Sequence, residues 1–294
     1  MSTHDPSQAT PHDTPIPTRP LGRTGVDVSI FGLGGEGVLR TFGREREARA
    51  VIDRALEQGV TYFDSARAYA GSEGYYGAAL GSRRERIFLT SKAFERSKAG
   101  ALAQLHETLA TMKTDYLDLW QMHDMRDMRE LEEVCAPGGA LEAFRQARDE
   151  GKVRFLGVTG HHDPEVLRAA LDIFSFDTVL MPVNPTEAHF NPFMTTTLTK
   201  ACHLGMGIIG MKVPARGHLV RTGVTAFSIE PLMRYALSWP VSTVIIGCDS
   251  PQQVDSNAAA ARRFVPMPEP EMRALEAAFE PYVEHGQFYK KGMH

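Results

Sequence analysis

The feature that most constrains the fold of this chain is a regular alternation of β-rich runs and helix-length segments, which begins near Pro20. Eight β-rich runs are each followed by a helical segment, and no change in composition divides the series. The runs are rich in Val, Ile and Leu without strict polar alternation, as is typical of parallel strands buried on both faces. Eight such units predict an α/β fold, a closed (β/α)8 TIM barrel rather than an open sheet.

The same pattern predicts the boundaries of the elements. The eight strands are predicted at residues 31–34, 61–64, 87–91, 116–122, 153–158, 178–183, 207–211 and 243–246. A turn at Arg23–Gly25 followed by Val26–Phe31 predicts an N-terminal β-hairpin that leads into the first strand. Residues 1–17 hold four prolines and almost no apolar side chains. We therefore expect a flexible leader over residues 1–17 and a single barrel domain over residues 18–294.

Composition excludes several classes of function. The chain has 32 Lys and Arg against 36 Asp and Glu, a net charge of −4, which offers no basic surface for nucleic acid or an anionic membrane. No apolar run approaches the roughly 18 residues of a spanning helix, and the leader lacks the apolar core of a signal peptide. The cysteines, Cys135, Cys202 and Cys248, form no CxxC pair, which predicts a reducing, cytoplasmic location.

The glycine-rich run Gly32–Gly37 matches the pattern GxGxxG and is followed by Glu57 at the spacing of a dinucleotide fingerprint. In a Rossmann dehydrogenase, a helix would begin at the third glycine and hold a pyrophosphate. Here the segment Val38–Gly43 intervenes, and Glu57 falls inside a predicted helix. We interpret the run as a loop in which backbone at Gly34 and Gly35 approaches a ligand closely or turns tightly, and a Rossmann enzyme is the less favoured alternative.

The strongest signal for function is a set of polar residues at three successive strand ends. Asp64, Lys92 and His123 each close an apolar run, and Tyr69 lies in the loop after Asp64. Because the C-terminal ends of parallel barrel strands meet on one face, these side chains are expected to lie close together. Each residue alone has a structural explanation, such as a helix cap or a buried histidine, but the four together predict an active site.

With these residues, the sequence resembles the aldo-keto reductases over residues 20–261. The resemblance rests on Phe63-Asp64-Ser65-Ala66-x-x-Tyr69, on Thr90-Ser91-Lys92 and on Asp118-Leu119-Trp120-Gln121-Met122-His123. It implies a (β/α)8 barrel, a nicotinamide cofactor that is usually NADPH, and reversible reduction of an aldehyde or ketone.

The chemistry of such a reduction suggests a role for each of the four residues. Tyr69 is expected to protonate the carbonyl oxygen, because the alkoxide formed by hydride transfer needs a general acid. Lys92, held charged by Asp64, is expected to lower the pKa of the tyrosine. His123 is expected to position the carbonyl and to stabilise developing charge.

Residues around the expected nicotinamide depart from the family pattern. The usual Ser-Asn pair, which holds the carboxamide, is replaced by Thr159-Gly160, so His161 or Asn184 is expected to take the place of the amide. Met211 stands where many relatives place a tyrosine under the nicotinamide, and Lys212 follows it. A methionine can still pack on a ring.

Residues 247–257 resemble the family's clamp for the adenosine phosphate. Gly247 and Gln253 replace the basic pair of many relatives, which weakens the preference for a 2′-phosphate unless Arg216 or Lys212 supplies the charge. Asn257 is expected to reach the adenine. We therefore expect NADPH as the cofactor, with NADH as the alternative.

No metal site is predicted. His161 and His162 are adjacent at a strand end and are expected to point to opposite faces, which makes them a poor chelating pair. No cluster of further ligands accompanies them at metal-binding spacing. His4 and His12 are interpreted as polar residues of the leader, with a metal-binding tail as the less favoured alternative.

The expected partner is a small carbonyl compound, whereas the physiological substrate and the oligomeric state are not predicted. An alternative from another class is a redox-sensing barrel that binds nicotinamide with little turnover. The presence of the complete Tyr, Lys and His set favours the enzyme, because a protein that only binds the cofactor does not need it.

Overall fold

Residues 14–290, which the computed structural model of the protein describes, carry ten β-strands. The strands are β1 (Thr18–Pro20), β2 (Asp27–Ser29), β3 (Phe31–Gly37), β4 (Tyr62–Asp64), β5 (Phe88–Ala93), β6 (Leu117–Met122), β7 (Val153–Thr159), β8 (Thr178–Pro182), β9 (Gly207–Met211) and β10 (Thr243–Cys248). Strands β3 to β10 pair in parallel and in chain order, and β10 closes the ring against β3. Strands β1 and β2 form a separate antiparallel hairpin. The predicted (β/α)8 barrel with an N-terminal hairpin is therefore confirmed.

Helices surround the barrel, and each of its strands is followed by at least one of them. They are α1 (Glu45–Glu57), α2 (Ser72–Ala79), α3 (Lys98–Met112), α4 (Met128–Cys135), α5 (Ala140–Asp149), α6 (Pro164–Ile173), α7 (Thr197–His203), α8 (His218–Arg221), α9 (Glu230–Ser238), α10 (Pro251–Arg262), α11 (Glu269–Phe279) and α12 (Val283–Gly286). None of these helices within residues 14–290 combines the length and the apolarity that crossing a membrane requires.

The interior of the barrel is an apolar cluster that the hairpin helps to close. The cluster consists of Leu21, Val28, Tyr62, Phe88, Leu119, Leu180, Ile209 and Ile245. Leu21 and Val28 come from the hairpin, and Gly22 approaches the start of β9 so closely that a Cβ would lie 2.1 Å from the nitrogen of Gly207. The hairpin therefore covers the N-terminal end of the barrel, and the C-terminal strand ends form the open face.

The C-terminal part of the chain packs against the barrel in a way that the sequence analysis did not predict. Helices α11 and α12 follow the eight predicted units, and α4 and α8 are further helices inside the series that were not predicted. Beyond α12, Lys290 Nζ lies 2.8 Å from Glu187 Oε2, and both side chains are completely buried. This ion pair anchors the end of the described chain to the loop after β8.

Residues 14–17, the described end of the predicted leader, contact the barrel. Ile16 is buried, and the carbonyl oxygen of Thr14 accepts a hydrogen bond from Arg262. Residues 14–17 therefore pack on the barrel because they can bury an apolar side chain there. The rest of the predicted leader, with His4 and His12, lies outside the described residues, as do residues 291–294.

Candidate active site

The four side chains predicted to be catalytic lie together at the C-terminal strand ends. Asp64 is the last residue of β4, and Lys92 is the second-last residue of β5. His123 directly follows β6, and Tyr69 lies in the loop before α2. Lys92 Nζ lies 5.1 Å from the centroid of the Tyr69 ring. The rings of Tyr69 and His123 meet edge to face with centroids 5.8 Å apart. The structure thus brings the set together, and the chemical roles of its members stay predictions.

Lys92 is held by three hydrogen bonds at the mouth of the barrel. Its ammonium donates to both carboxylate oxygens of Asp64, at 2.7 and 2.8 Å, and to the carbonyl oxygen of Ser65 at 2.7 Å. The Lys92 and Asp64 side chains are each 1% exposed. Burial lowers the pKa of Lys92 and raises that of Asp64, while the charge of each partner counters the shift of the other. All three ammonium donors are used, so none is left for Tyr69.

The hydroxyl of Tyr69 is available to a ligand, because it makes no hydrogen bond within residues 14–290. The guanidinium of Arg40 lies 5.0 Å from the centroid of the Tyr69 ring. Burial raises the pKa of Tyr69 well above its usual value, and Asp64 and Glu36 raise it further, whereas Arg40 and Arg216 lower it. The phenol therefore carries its proton at neutral pH and can donate it.

His123 is fixed by its backbone. Its N–H donates to the carbonyl oxygen of Ala93 at 2.8 Å, and Arg96 donates to the carbonyl oxygens of His123 and Asp124 at 2.8 and 2.9 Å. Burial and the charge of Lys92 hold the pKa of His123 well below its usual value, so the imidazole is neutral. Its Nδ1 is buried without a hydrogen-bond partner in the described part of the chain.

A glycine allows Tyr69 to reach this position. A Cβ on Gly35 would lie 2.8 Å from both Cδ2 of Tyr69 and the carbonyl oxygen of Asp64. The two other nearby tyrosines are engaged elsewhere, since the hydroxyl of Tyr76 donates to the carbonyl oxygen of Asp64 and that of Tyr75 to the backbone before α1. Tyr69 therefore faces the site with an unbonded hydroxyl. The hydroxyl of Tyr62 also has no partner in the described chain, but its ring lies in the interior cluster of the barrel.

A cleft of about 1220 Å³ extends from the end of β3 to α10. Arg40, which lies over the Tyr69 ring, lines this cleft, whereas the four residues predicted to be catalytic are not among its lining residues. This volume exceeds the roughly 300–1,000 Å³ of most small-molecule sites, so the cleft suits an extended ligand. Its cationic lining residues are Arg40, Lys212, Arg216, Arg221 and Arg263.

The carboxylate of Glu36 is the centre of an ion-pair cluster at the inner end of the cleft. Its Oε1 lies 2.7 Å from Arg40, 2.9 Å from Arg216 and 3.2 Å from Lys212. Burial alone would raise the pKa of Glu36, but Lys212, Arg216 and Arg40 together lower it to about 2. Three cations thus converge on one anion, an arrangement that would also attract a phosphate group.

Two of the predicted cofactor glycines stand where β3 and β10 approach each other. A Cβ on Gly34 would lie 2.9 Å from the nitrogen of Gly247, and a Cβ on Gly247 would lie 2.6 Å from the backbone of Glu36. Strand packing therefore requires glycine at both positions, whatever a ligand requires. The whole run Gly32–Gly37 lies within β3, because its pairing with β10 continues to Gly37, so the interpretation of this run as a loop was wrong. Met211, at the end of β9, packs against the interior cluster.

Helix α10 contributes the other predicted contacts to the cleft. Gln253 accepts a hydrogen bond from the backbone N–H of Asp249 at 2.7 Å. Asn257 is buried and donates to Cys248 Sγ at 3.4 Å. Burial raises the pKa of the Cys248 thiol to about 12, so this cysteine is a protonated packing residue at neutral pH.

The residues expected to hold the nicotinamide carboxamide differ in availability. Thr159 Oγ1 accepts a hydrogen bond from the N–H of Asp124 at 2.9 Å and keeps its own proton for donation. The amide nitrogen of Asn184 donates to Tyr289 and to a backbone carbonyl after β9, and its oxygen accepts two bonds from Thr186. A cofactor contact from Asn184 would therefore have to replace one of these bonds.

His161 and His162 do not point to opposite faces, so that prediction was wrong. Strand β7 ends at Thr159, and both histidines lie in a bend before α6, where the alternation of a strand no longer applies. Their ring centroids are 4.5 Å apart. His161 Nδ1 and His162 Nε2 lie 3.1 and 3.3 Å from the same oxygen, Oδ1 of Asp124. Burial lowers the pKa of His161 to about 3, so its ring is neutral.

Several residues of the site were not found from the sequence. Arg96 holds the backbone of His123, Phe94 packs edge to face on its ring, and Glu36 gathers the cations of the cleft. Glu36 stands inside the glycine-rich run that the sequence analysis singled out, yet its partner Arg216 is 180 positions away in the chain. A local motif carries no signal for such a contact.

Comparison with known proteins agrees with this geometry. The chain is 25% identical to the uncharacterized oxidoreductase YqkF of Bacillus subtilis, over 88% of this chain and 95% of that protein. It is also 25% identical to L-galactose dehydrogenase of Arabidopsis thaliana, over 91% of this chain and 96% of that protein. Among solved structures, the holo form of the aldo-keto reductase AKR11C1 from Bacillus halodurans shares the fold, with a TM-score of 0.76 and 24% identity over 90% of this chain and 96% of that one.

The family comparison covers seven of the eight barrel strands, β3 to β9, and the four residues predicted to be catalytic. Residues 30–232 match the model of the Aldo/keto reductase family, and this range contains Asp64, Tyr69, Lys92 and His123. Because the match spans more than half of the sequence, the chain belongs to the aldo/keto reductase family of oxidoreductases.

Proposed function

We propose that this protein is an NAD(P)H-dependent reductase that converts an aldehyde or ketone to an alcohol by hydride transfer. The observation that carries the proposal is the meeting of Tyr69, His123 and the Lys92–Asp64 pair at the C-terminal strand ends, beside a cleft that Arg40 lines. The name of the Arabidopsis relative, a dehydrogenase of L-galactose, is consistent with interconversion of an alcohol and a carbonyl compound.

The cleft has the chemistry that a nicotinamide dinucleotide requires. Lys212, Arg216 and Arg40 gather positive charge at its inner end, as binding of a diphosphate demands. We assign further contacts to Gly34, Gly35, Gly247, Gln253 and Asn257 along β3, β10 and α10, to Thr159 and Asn184 for the carboxamide, and to Met211 for the ring. When bound, the cofactor supplies a hydride to the carbonyl carbon of the substrate.

Tyr69 and His123 act on the carbonyl oxygen. The raised pKa of Tyr69 keeps its hydroxyl protonated, so this proton can move to the alkoxide that forms on the substrate. Neutral His123, with its proton on Nε2, donates a hydrogen bond to the same oxygen and stabilises the charge that develops there. The substrate oxygen is thus held between the two rings.

Lys92 stabilises the tyrosinate that remains after the proton has moved. Its ammonium lies 5.1 Å from the centroid of the Tyr69 ring and is held in place by Asp64 and Ser65. The ammonium charge favours the anion over the neutral phenol, but the pKa of Tyr69 is raised overall, because burial, Asp64 and Glu36 act in the opposite direction.

We expect NADPH to bind only modestly better than NADH, with a preference below about 100-fold, or about 2.8 kcal/mol. Gly247 and Gln253 line the cleft without a charge, whereas a 2′-phosphate would gain about 1.5–3 kcal/mol from each charge-assisted hydrogen bond. Fluorescence titration with both cofactors gives the ratio of Kd values. A much larger ratio would contradict this prediction, and Arg263→Gln would then test whether Arg263, which lines the cleft, supplies the charge.

Substitution of Glu36→Gln should tighten the binding of either cofactor. It releases Arg40, Lys212 and Arg216 from their ion pairs, and a partly exposed pair is worth about 0.2–1 kcal/mol, or up to about fivefold in Kd. The same titrations measure the effect, with Glu269→Gln as a matched control that releases only Arg273, on an exposed surface away from the cleft. An unchanged or larger Kd for Glu36→Gln would show that these three cations do not contact the cofactor phosphates.

A single-turnover experiment tests the proposed function itself. Protein saturated with NADPH is mixed with 4-nitrobenzaldehyde or methylglyoxal, and oxidation of the bound cofactor is followed by stopped-flow absorbance. We expect oxidation that is coupled to formation of the alcohol. Binding of NADPH without oxidation by any carbonyl compound would favour the redox-sensor alternative, which has no support among the relatives described above.

The remaining features of the proposal concern location and partners. The three cysteines are unpaired, which is consistent with the proposed cytoplasmic location. The proposed partner is a small carbonyl compound rather than nucleic acid or a membrane surface.

A further inference from the structure

Asp124, His161 and His162 form a compact cluster beside the reductase site that the proposed reaction does not use. One carboxylate oxygen and one nitrogen from each ring all lie within 4.8 Å of one another. Asp124 follows His123 directly, and the two histidines lie in the loop after the neighbouring strand β7. The cluster therefore joins two adjacent loops on the open face of the barrel.

Hydrogen bonding does not account for the arrangement of this cluster. Asp124 Oδ1 is inaccessible to solvent and has no hydrogen-bond partner in the described chain, although two ring nitrogens lie 3.1 and 3.3 Å away. A buried carboxylate oxygen without a donor is costly. A cation between the three atoms would remove this cost.

The separations of these atoms agree with those around a metal ion. Zn²⁺ binds His nitrogen and carboxylate oxygen at about 2.0–2.2 Å, which places neighbouring ligand atoms of a tetrahedron about 3.3–3.5 Å apart. The two nitrogen-to-oxygen distances, 3.1 and 3.3 Å, are close to this edge length. Two histidines and one carboxylate are a donor set typical of zinc and of other divalent transition metals.

We propose that Asp124, His161 and His162 bind a divalent transition-metal ion, with Zn²⁺ as the favoured occupant. The three side chains supply three ligands, and a fourth position is left for water. The histidine side chains are 20% and 23% exposed, so an ion can enter from solvent.

The surroundings of Asp124 support this role. Its second oxygen, Oδ2, accepts a hydrogen bond from Arg126 at 2.9 Å, and its backbone N–H donates to Thr159. Such outer contacts fix the orientation of a ligating carboxylate. They also leave Oδ1 as the oxygen that is free to bind a metal.

Metal binding is tested on the untagged full-length protein after treatment with a chelator, without cofactor or carbonyl compound. Titration with ZnCl2 by calorimetry should show one site per chain. Binding should be lost in Asp124→Asn, and the affinity should fall at least about 100-fold in His162→Gln. Loss of a contact outside the ligand shell usually costs less than this. Titration with CoCl2 should give the strong visible bands of a four-coordinate ion in the parent protein and not in the variants. Because no reductase step is involved, this result does not depend on the proposed function.

Two controls separate this site from binding elsewhere. Cys202→Ser with His203→Gln removes an exposed pair of metal-binding side chains, and His4→Gln with His12→Gln removes the histidines of the leader. Both double variants should bind Zn²⁺ as the parent does. The proposal is overturned if the parent protein binds no Zn²⁺, or if His162→Gln and His161→Gln, shown to be folded by circular dichroism, bind it with the parent affinity.

Discussion

Replacement of Tyr69 by phenylalanine should lower kcat and kcat/KM together, by about 10²–10⁴-fold, for any carbonyl substrate that the protein reduces. The substitution removes only the hydroxyl, and a group that acts as general acid contributes in the transition state rather than in the ground state. The Kd of NADPH should change little, because the proposed phosphate contacts lie on other residues. Steady-state kinetics and cofactor titration on the same preparation measure both quantities.

The structure also predicts that this variant folds normally. The Tyr69 hydroxyl makes no hydrogen bond within residues 14–290, so its removal leaves no partner unsatisfied, and the phenyl ring keeps its contact with His123. Tyr76→Phe is a matched control, because the Tyr76 hydroxyl donates to the carbonyl oxygen of Asp64 from a fully buried position. We expect the control to lose about 1 kcal/mol of unfolding free energy and to retain most of its activity.

The opposite pattern would contradict the assignment. Carbonyl reduction at nearly the parent rate by Tyr69→Phe would show that another group delivers the proton. Equal losses of activity in Tyr69→Phe and Tyr76→Phe would show that packing of the segment after β4, rather than the proton of the Tyr69 hydroxyl, supports the reaction.

The order of the strands and the meeting of the four polar residues could be predicted because both depend on local patterns. A β-rich run that ends in Asp64, Lys92 or His123 reports its own strand end, and the geometry of a parallel barrel then brings those ends together. The spacing from Asp64 to Tyr69 is short enough that the loop cannot carry the ring away. This prediction needed only one assumption about the whole chain, that the eight strands close into a barrel.

Contacts between distant loops could not be predicted in this way. Glu36 meets Arg216, and Lys290 meets Glu187, only after the barrel has closed, and nothing in the local sequence selects these partners. The orientation of His161 and His162 was predicted wrongly for a related reason. The alternation of side chains holds within a strand, and the two residues lie beyond the end of β7, in a bend whose shape depends on how α6 packs.

Replacement of Lys92 by methionine should reduce the unfolding free energy by about 3–5 kcal/mol, in addition to abolishing most of the activity. The ion pair with Asp64 is buried, and removal of one partner leaves a carboxylate without its counter-charge in a site where both side chains are 1% exposed. The double variant Lys92→Met with Asp64→Asn is the matched control. It removes both charges, and the hydrogen bond from Thr90 to the side-chain oxygen at position 64 is retained. We expect it to recover most of the lost stability but not the activity.

The dependence of this loss on pH follows from the burial of Asp64. In Lys92→Met, burial raises the pKa of Asp64 in the folded protein, and the cation that opposed this shift is gone. A raised pKa in the folded state means that stability is retained below the unfolded value, about 3.9, and falls as the pH increases, by up to about 1.4 kcal/mol per pH unit. The stability difference between the single and double variants, measured by urea denaturation, should therefore be small near pH 4 and large at pH 7. A difference that does not change with pH would mean that Asp64 is not left as an unpaired buried carboxylate, and that Lys92 stabilises the barrel mouth through its bond to Ser65 instead.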